Sequence, residues 1–482
     1  MRYSMLVYIG KMSSTLLEAA RYLRTAPADG MRAELLENGR RMLAQIREVL
    51  EQERSCLHSD TSLSRLAEME PLWDACGEGL EERLEQFTRE LPGQVPCQVR
   101  AVFFAELGEK WDAMASVYDY MRDDPRFDPV VVRTPVGRVV NRDGKREQEI
   151  LYKDFLTPMG IPSLGYDEYD IDTDCPELAF ISQPYESCTM QRFWPEEIAK
   201  HTRFVYLPYY VPDLVSPDTP QVLCELPVYR CAWKVCGFSE RHYRYYSRHA
   251  ANGGGNMITT GIPKLDPAFR LRDTAAEIPE SWVMKVKGRT TFLWNTWYDY
   301  QHSSLPYFGK IAEWLHDHKE CAVIWRPHPM TDTVTRLYYP AETYRILQEN
   351  IAAAKTIPNM VYDEEASYSA AFCCSDAQIS DYSSLMFQYL LLDKPVLWTL
   401  GPDDTFRREN PEFFIDWRWM EEARQAEDVL SFMERVRQGT DRKADIRKTV
   451  LARDLALADG RCGERCVEAL WQAMHTEDFG DL

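Results

Sequence analysis

The chain has no hydrophobic run long enough to cross a membrane and no excess of basic residues. Its apolar run near the start, residues 5–9, is far shorter than the ~20 apolar residues of a spanning helix and too short for the apolar part of a signal peptide. Lysine and arginine number 56 against 76 aspartate and glutamate residues, a net charge of −20, which argues against a nucleic-acid surface or bulk attraction to anionic lipid. We therefore expect a cytoplasmic protein that recognises phosphate only locally, with peripheral contact at the inner face of the cell membrane left open.

The cysteines lack the pattern of a metal site or of a disulfide framework. There are 13 of them, but Cys231 and Cys236 have four residues between them, and Cys373 and Cys374 are adjacent. Neither spacing fits the paired ligands of a zinc site. We interpret them as reduced thiols, and we expect neither a bound metal nor a cofactor.

The chain does have ample apolar material, since 45% of its 482 residues are hydrophobic and 12% are aromatic. This length and composition suit as many as three packed domains. Residues 1–96 predict an appendage of two to four helices, because apolar residues recur there at helical spacing. These include Met31, Leu35, Met42, Ile46 and Val49. The faces carry mixed charge, which favours packing on the body, or on a second copy in a homo-oligomer, over docking to a membrane.

After the appendage, short strands alternate with helices. The first set of predicted strands lies at residues 99–105, 129–132, 178–181, 204–207 and 256–260. The second set lies at residues 291–294, 321–325, 360–362, 377–380 and 396–398. Repeated strand–helix–strand units predict an α/β fold with two Rossmann-like domains, residues 97–270 and 285–420. Residues 421–482 predict closing helices.

One junction in the second predicted domain suits an anion. Residues 377–380 predict a buried strand, and Ser383 and Ser384 follow where N-cap residues belong, ahead of a predicted helix over 384–392. Free amides at the helix start, the positive end of the helix dipole and two hydroxyls would converge there. Such a site suits a phosphate better than a neutral group.

A second junction lies about fifty residues earlier. Arg326 and His328 follow the predicted strand at 321–325 and so leave the sheet at its carboxyl edge, where ligands bind in open α/β sheets. Four motifs follow one another along the chain: Gly-Ile-Pro-Lys-Leu-Asp at 261–266, Arg-Pro-His-Pro at 326–329, Asp-Tyr-Ser-Ser at 381–384 and Leu-Leu-Asp-Lys-Pro-Val at 391–396. In these motifs the chain resembles the CDP-glycerol glycerophosphotransferase family of cell-wall teichoic-acid synthesis. The resemblance covers roughly residues 98–400.

The resemblance implies a GT-B architecture, in which two Rossmann-like domains face each other across a cleft and closing helices pack back on the body. It implies transfer of glycerol phosphate, or a related polyol phosphate, from CDP-glycerol or another nucleotide-activated donor to a hydroxyl. The acceptor would be a cell-surface polymer or a lipid-linked precursor. Two alternatives stay open: a nucleotide-sugar glycosyltransferase or epimerase of GT-B fold, and a catalytically degenerate nucleotide-binding or scaffold protein.

By match to the family's motifs, His328 is expected to contact the donor diphosphate or to assist the leaving group. The alternative is a structural histidine held between two prolines. Ser383 and Ser384 would cradle the diphosphate or merely cap the helix. Arg326 would add positive charge or buttress its loop, and Thr296, at the first turn of the second domain, would contact phosphate.

Three acidic residues complete the predicted site. Asp381 is expected to be catalytic by orienting His328, with a solvated loop acid as the alternative. Asp363 and Glu364 follow the strand that lies beside base and ribose in GT-B enzymes. They would accept hydrogen bonds from ribose hydroxyls, or form a solvated run of charge.

The chain departs from the family in its first domain. The family carries a Trp-His-Gly-Thr-Pro motif whose histidine would be the base, but residues 206–213 here read Tyr-Leu-Pro-Tyr-Tyr-Val-Pro-Asp. The replacement base could be His201, Asp213, Glu186 or a site reshaped around Tyr209. A tyrosine is a poor base without strong local help, because its ordinary pKa is about 10.

Overall fold

The structure is a computed structural model that describes residues 1–25, 30–54, 60–76, 78–95, 97–142, 145–211, 224–399 and 415–476. A helical region at the N-terminus is followed by two parallel β-sheets, each flanked by helices. The predicted fold class, an α/β protein with two Rossmann-like domains and a helical N-terminal region, is confirmed.

In the described part of residues 1–96, the chain forms helices α1 (Tyr3–Thr25), α2 (Gly30–Gln52), α3 (Thr61–Ala75) and α4 (Leu80–Gln94). Their apolar stripes close on one another in a core separate from those of the two sheets. Trp73 is fully buried in this core and donates from its indole nitrogen to the Leu36 carbonyl at 3.0 Å. Its ring lies directly on Gly39, where even a β-carbon would not fit.

The helical region is joined to the first domain through the carboxylate of Glu177. The Arg2 guanidinium donates to it at 3.0 Å, and the Ser4 hydroxyl donates to it at 2.5 Å. The backbone amide of Arg100, in the first strand, donates to the same carboxylate at 2.8 Å. Because Glu177 is buried, these bonds fix the start of α1 against the sheet.

Within the described residues, the first sheet has seven strands, all in parallel pairs, in the order β5-β2-β1-β6-β7-β8-β9. These strands are β1 (Val99–Ala105), β2 (Phe127–Arg133), β5 (Leu164–Gly165), β6 (Leu178–Ile181), β7 (Arg203–Tyr206), β8 (Lys234–Gly237) and β9 (Met257–Thr259). A separate antiparallel hairpin follows β2 and consists of β3 (Val136–Arg142) and β4 (Lys145–Leu151). The helices in this part are α5 (Gly108–Arg122), α6 (Ile171–Asp174), α7 (Pro195–Ile198), α8 (Pro227–Cys231), α9 (Glu240–His249) and α10 (Leu265–Arg270).

In the part of the chain that the structure describes, the second sheet has six parallel strands in the order β12-β11-β10-β13-β14-β15. They are β10 (Thr290–Thr296), β11 (Cys321–Pro327), β12 (Met360–Tyr362), β13 (Ala377–Ser380), β14 (Val396–Thr399) and β15 (Glu421–Ala423). The helices around them are α11 (Glu280–Val286), α12 (Phe308–Asp317), α13 (Thr331–Tyr338), α14 (Ala341–Thr356), α15 (Ser369–Cys374), α16 (Leu385–Leu390), α17 (Ala426–Arg437) and α18 (Ala444–Asp454). Strand β15 lies in the segment for which the sequence predicts only helices.

The last helix, α19 (Cys462–Thr476), returns to the first domain and packs along α5. Asp266 is buried and caps this helix, accepting from the backbone amides of Cys462 at 3.0 Å and Gly463 at 2.8 Å. At Gly463 a β-carbon would lie 2.6 Å from backbone atoms of Ser116, so only glycine permits this approach to α5. One role of the Gly-Ile-Pro-Lys-Leu-Asp motif is thus to dock the C-terminal helix.

The two sheet domains meet through α10 of the first and α16 of the second, which pack on each other in one buried apolar cluster. Among the helices of the described residues, none combines the length and the apolar character that crossing a membrane requires.

Candidate active site at the facing edges of the two sheets

Each sheet has one point where the strand order reverses. In the first sheet it lies between β1 and β6, and in the second between β10 and β13. Ligands of open α/β sheets bind in the crevice outside the carboxyl ends of the strands at such points. The residues that follow these four strands therefore define the candidate site.

In the second domain, Asp381 directly follows β13 and is buried. Its carboxylate accepts from the backbone amides of Trp297 at 2.8 Å and Ser304 at 3.0 Å, and from the Thr399 hydroxyl. Burial raises the pKa of Asp381, and the hydrogen bonds from Thr399 and Ser304 oppose that rise. Among the described residues its bonds do not include His328. Asp381 instead holds the loop after β10 in place over the switch point.

His328 lies half-buried just beyond β11. Its backbone amide donates to the Thr296 carbonyl at 2.9 Å, and its ring packs edge-on against Tyr298, with the centroids 5.0 Å apart. Ring atom Nδ1 accepts from the Met330 amide at 3.1 Å, which leaves the proton of the neutral ring on Nε2. Burial lowers the pKa of His328 to about 4. At neutral pH the ring therefore offers a hydrogen-bond donor and no charge.

Arg326 lies near the end of β11, and the segment after β12 holds its side chain in place. Its guanidinium donates to Asp363 Oδ2 at 2.7 Å and to the carbonyls of Ser367 and Ala366, each at 3.2 Å. Of the two roles predicted for Arg326, this geometry fits the buttress. Its charge is already balanced by a carboxylate.

The two acidic residues after β12 differ in their surroundings. Asp363 is buried, and its second oxygen accepts from the Glu365 amide at 2.9 Å, so both oxygens are occupied. Burial raises the pKa of Asp363, while Arg326 opposes the rise. Glu364 is exposed and pairs with Lys355 at 2.9 Å. Their ribose contacts stay predictions.

The proposed phosphate cradle is partly used by the fold. The Ser383 hydroxyl accepts from the Leu385 amide at 3.2 Å, and α16 has only six residues, shorter than the sequence predicts. The Ser384 hydroxyl is half-buried and makes no hydrogen bond within the described part of the chain, so it is available to a ligand. The buried Thr296 hydroxyl accepts from the Trp325 indole at 3.2 Å, and its remaining proton can still be donated.

The first-domain switch point carries residues for which no site role was predicted from the sequence. Glu106 directly follows β1 and is buried, and its Oε2 accepts from Lys110 Nζ at 2.8 Å and from Gln183 Nε2, just after β6, at 3.1 Å. The Lys110 ammonium also lies over the Tyr209 ring, 4.9 Å from its centroid. Its position could have identified Glu106 as a site residue, because it is the first residue beyond the first strand.

Three of the four candidate bases predicted from the sequence lie among the described residues, and their surroundings differ. His201 precedes β7, so it lies at the amino edge of the sheet, where it pairs with Asp172 at 2.6 Å; a catalytic role for it at the cleft is wrong. Burial raises the pKa of Tyr209, which makes this phenol a weaker candidate still. Glu186 is half-buried, and the neighbouring Glu196 carboxylate raises its pKa. Asp213 lies outside the described residues.

A polar cluster crosses the boundary between the two domains. The Tyr368 phenol, in the second domain, lies beside the Asp112 carboxylate on α5 and accepts from Gln388 Nε2 at 2.9 Å. Burial raises the pKa of Asp112, and the nearby Lys264 ammonium opposes that rise. Because Asp112 lies in the first turns of the helix that begins just after Glu106, this contact brings Glu106 to the second domain's side of the first domain.

Two Rossmann-like domains, each with a switch point in a parallel sheet and joined through α10 and α16, are typical of a GT-B type of protein. Residues 238–472 match the CDP-Glycerol:Poly(glycerophosphate) glycerophosphotransferase family, and this part of the chain is a domain of that family. The matched region contains His328, Ser383, Ser384 and the first part of helix α19. The resemblance found in the sequence motifs is thereby confirmed.

Two solved epimerase structures show the same fold, and a teichoic acid polymerase is among the other similar structures. A UDP-N-acetylglucosamine 2-epimerase from Listeria monocytogenes is 12% identical with a TM-score of 0.53, over 79% of this chain and 98% of that one. The UDP-GlcNAc 2-epimerase from Neisseria meningitidis, bound to UDP-GlcNAc, is 10% identical with a TM-score of 0.50, over 78% and 100%. The wall teichoic acid polymerase TagF is 12% identical with a TM-score of 0.47, over 86% and 98%. No curated protein sequence matches the chain.

Proposed function

We propose that this protein transfers glycerol phosphate, or a related polyol phosphate, from a CDP-activated donor to a hydroxyl of a cell-surface polymer or its precursor. The observation that carries the proposal is the family match over residues 238–472, which includes the second-domain switch point. The likeness to epimerases is a likeness of fold at 10–12% identity and does not favour an epimerase reaction.

In this proposal the second domain binds the donor diphosphate. His328 donates from Nε2 to a phosphate oxygen, and the Ser384 hydroxyl contacts the same group. Thr296 and Asp381 shape the floor of the site, and Arg326 with Asp363 fixes the neighbouring loop. Positioning and hydrogen bonding of the phosphates are the main demands of phosphoryl transfer.

The reaction is attack by an acceptor hydroxyl on the phosphorus nearest the glycerol. A new oxygen–phosphorus bond forms, the bond from that phosphorus to the bridging oxygen breaks, and CMP leaves with the electron pair. A hydrogen bond from the neutral His328 ring would stabilise the negative charge that develops on the leaving phosphate.

Calorimetric titration with CDP, CDP-glycerol, UDP and GDP tests the donor site. We expect the cytidine nucleotides to bind selectively, and His328→Ala and the double variant Ser383→Ala/Ser384→Ala to weaken binding about tenfold or more. Matched controls are the exposed residues His316 and Ser431 of the same part of the chain, whose alanine variants should bind like the wild type. The absence of binding to every nucleotide, or equal losses in the controls, would overturn the proposal.

Peripheral membrane contact and self-association through α1–α4 stay predictions of the sequence. Light scattering of the full chain and flotation with anionic vesicles would check them. A monomer that does not float contradicts both.

A further inference from the structure

The first domain holds a buried carboxylate at its switch point. Glu106 is the first residue beyond β1, and Gln183 is the second beyond β6; the two side chains meet at 3.1 Å across the reversal of strand order. This is the position in an open α/β sheet at which a ligand is expected. Whatever binds here approaches Glu106.

This carboxylate lies on the side of the first domain that meets the donor domain. Helix α5 begins two residues after Glu106, and Asp112 in its first turns lies beside Tyr368 of the second domain. The donor site and Glu106 therefore belong to one crevice between the domains. An acceptor bound to the first domain would lie between them.

The crevice needs a base from the first domain. The family's histidine is replaced by the Tyr-Leu-Pro-Tyr-Tyr segment at residues 206–210. Tyr206 is fully buried, and burial raises the pKa of Tyr209, so neither phenol suits proton removal near neutral pH. His201 is at the opposite edge of the sheet. Glu106 is a carboxylate at the required edge.

We propose that Glu106 is the general base that accepts the proton of the attacking acceptor hydroxyl. This inference rests on the proposed transfer reaction. As the acceptor oxygen bonds to the phosphorus nearest the glycerol, its proton passes to Glu106 Oε1, and CMP leaves with the electron pair of the broken bond. The proton then passes from Glu106 to solvent.

The hydrogen bonds of Glu106 leave one oxygen for this task. Lys110 and Gln183 both donate to Oε2, and within the described residues Oε1 accepts no hydrogen bond. The two donors act as positioning residues, because they fix the plane of the carboxylate. Tyr209 covers Lys110 from the other side and keeps it in place.

The charge balance around Glu106 also suits a base. Burial raises the pKa of Glu106, whereas Lys110 and Gln183 oppose the rise. A carboxyl group becomes an effective base at neutral pH when its pKa is raised toward the working pH. The titratable groups that face it are Lys110 from α5 and Tyr209 from the segment after β7.

The direct test is Glu106→Gln, which keeps the size of the side chain and an oxygen for Lys110. CMP release from CDP-glycerol is measured with a synthetic poly(glycerol phosphate) oligomer, and CDP-glycerol affinity is measured by calorimetry. We expect kcat to fall about 100-fold or more, with the affinity within twofold of the wild type. The control is Glu197→Gln, which alters a more exposed Lys–Glu pair of the same domain (Glu197 with Lys200, 2.7 Å) and should change neither quantity.

The outcomes separate the two proposals. A wild type that binds CDP-glycerol but releases no CMP contradicts the transfer reaction itself. A wild type that turns over beside a Glu106→Gln variant within threefold of it overturns only the role of Glu106. Loss of donor affinity in that variant, with its thermal unfolding unchanged, would assign Glu106 to donor binding and also overturn the proposal.

Lys110→Gln gives a second test that does not alter Glu106. Removal of the ammonium takes away an interaction that favours the charged carboxylate, so the pKa of Glu106 should rise. The acidic limb of the kcat/KM profile should shift to higher pH, because activity requires the deprotonated form. A purely structural role would lower activity without moving that limb, and such a result would contradict the proposal.

Discussion

Arg326 Nη1 lies 2.7 Å from Asp363 Oδ2, and the Asp363 side chain in this ion pair is fully buried. The pair joins the end of β11 to the loop after β12, the two segments that border His328 and the predicted ribose position. Both residues were predicted to contact the donor. The geometry assigns them first to the support of the site.

Asp363→Ala should therefore act mainly on stability. Removal of one partner leaves the largely buried Arg326 charge without compensation, which costs about 3–5 kcal/mol in comparable pairs. We expect the free energy of unfolding to fall by that amount in denaturant titrations followed by tryptophan fluorescence. Glu364→Ala, which breaks the neighbouring exposed pair with Lys355, should cost about 1 kcal/mol or less. An Asp363→Ala protein of normal stability that loses CDP affinity would instead support the ribose contact.

His328 should make stability depend on pH. Its ring has a pKa of about 4 in the folded chain, because burial disfavours the charged form, against an ordinary value of 6.5. As the pH falls below 6.5 the unfolded chain takes up the proton first, so stability is lost between about pH 6.5 and 4 and is fully present above that window. His328→Asn should reduce this loss by up to about 3 kcal/mol.

The measurement is denaturant unfolding at pH 7, 5.5 and 4.5 for wild type and variant. His316→Asn serves as the control, since that ring is exposed on α12. If His328→Asn and the wild type lose the same free energy between pH 7 and 4.5, the ring is not held neutral by burial.

Two of the central strands were predictable from the sequence. Residues 99–105 and 178–181 have the predicted bounds, because central strands of a parallel sheet appear as short, mostly apolar runs. The hairpin β3–β4 and the edge strand β15 were not predicted. Their sequences are rich in polar residues. Strand β15 pairs with β14 at the edge of the sheet, where Leu397 lies opposite Glu421.

The sequence predicted where the site residues lie along the chain, but not which of them contact one another. The positions of His328 and Asp381 at strand ends follow from the motif and the strand pattern. That Asp381 binds the Trp297 amide, 84 residues away, depends on the switch point between β10 and β13, which the order of elements in the sequence does not reveal. Glu106 belongs to no motif. The fold, in which β6 brings Gln183 beside it, identifies it as a site residue.

Asp266 caps α19, and its loss should weaken the docking of this helix on α5. Asp266→Ala removes the acceptor of two buried amides, Cys462 and Gly463, and each unpaired donor costs about 1–3 kcal/mol. We expect the helix to detach from α5, which should lower the midpoint of thermal unfolding and admit protease cleavage near residue 460. Asp266→Asn retains an acceptor oxygen and should have a smaller effect. Asp459→Ala, which breaks an exposed pair with Arg465, is the control, and equal cleavage of the three variants would contradict the capping role.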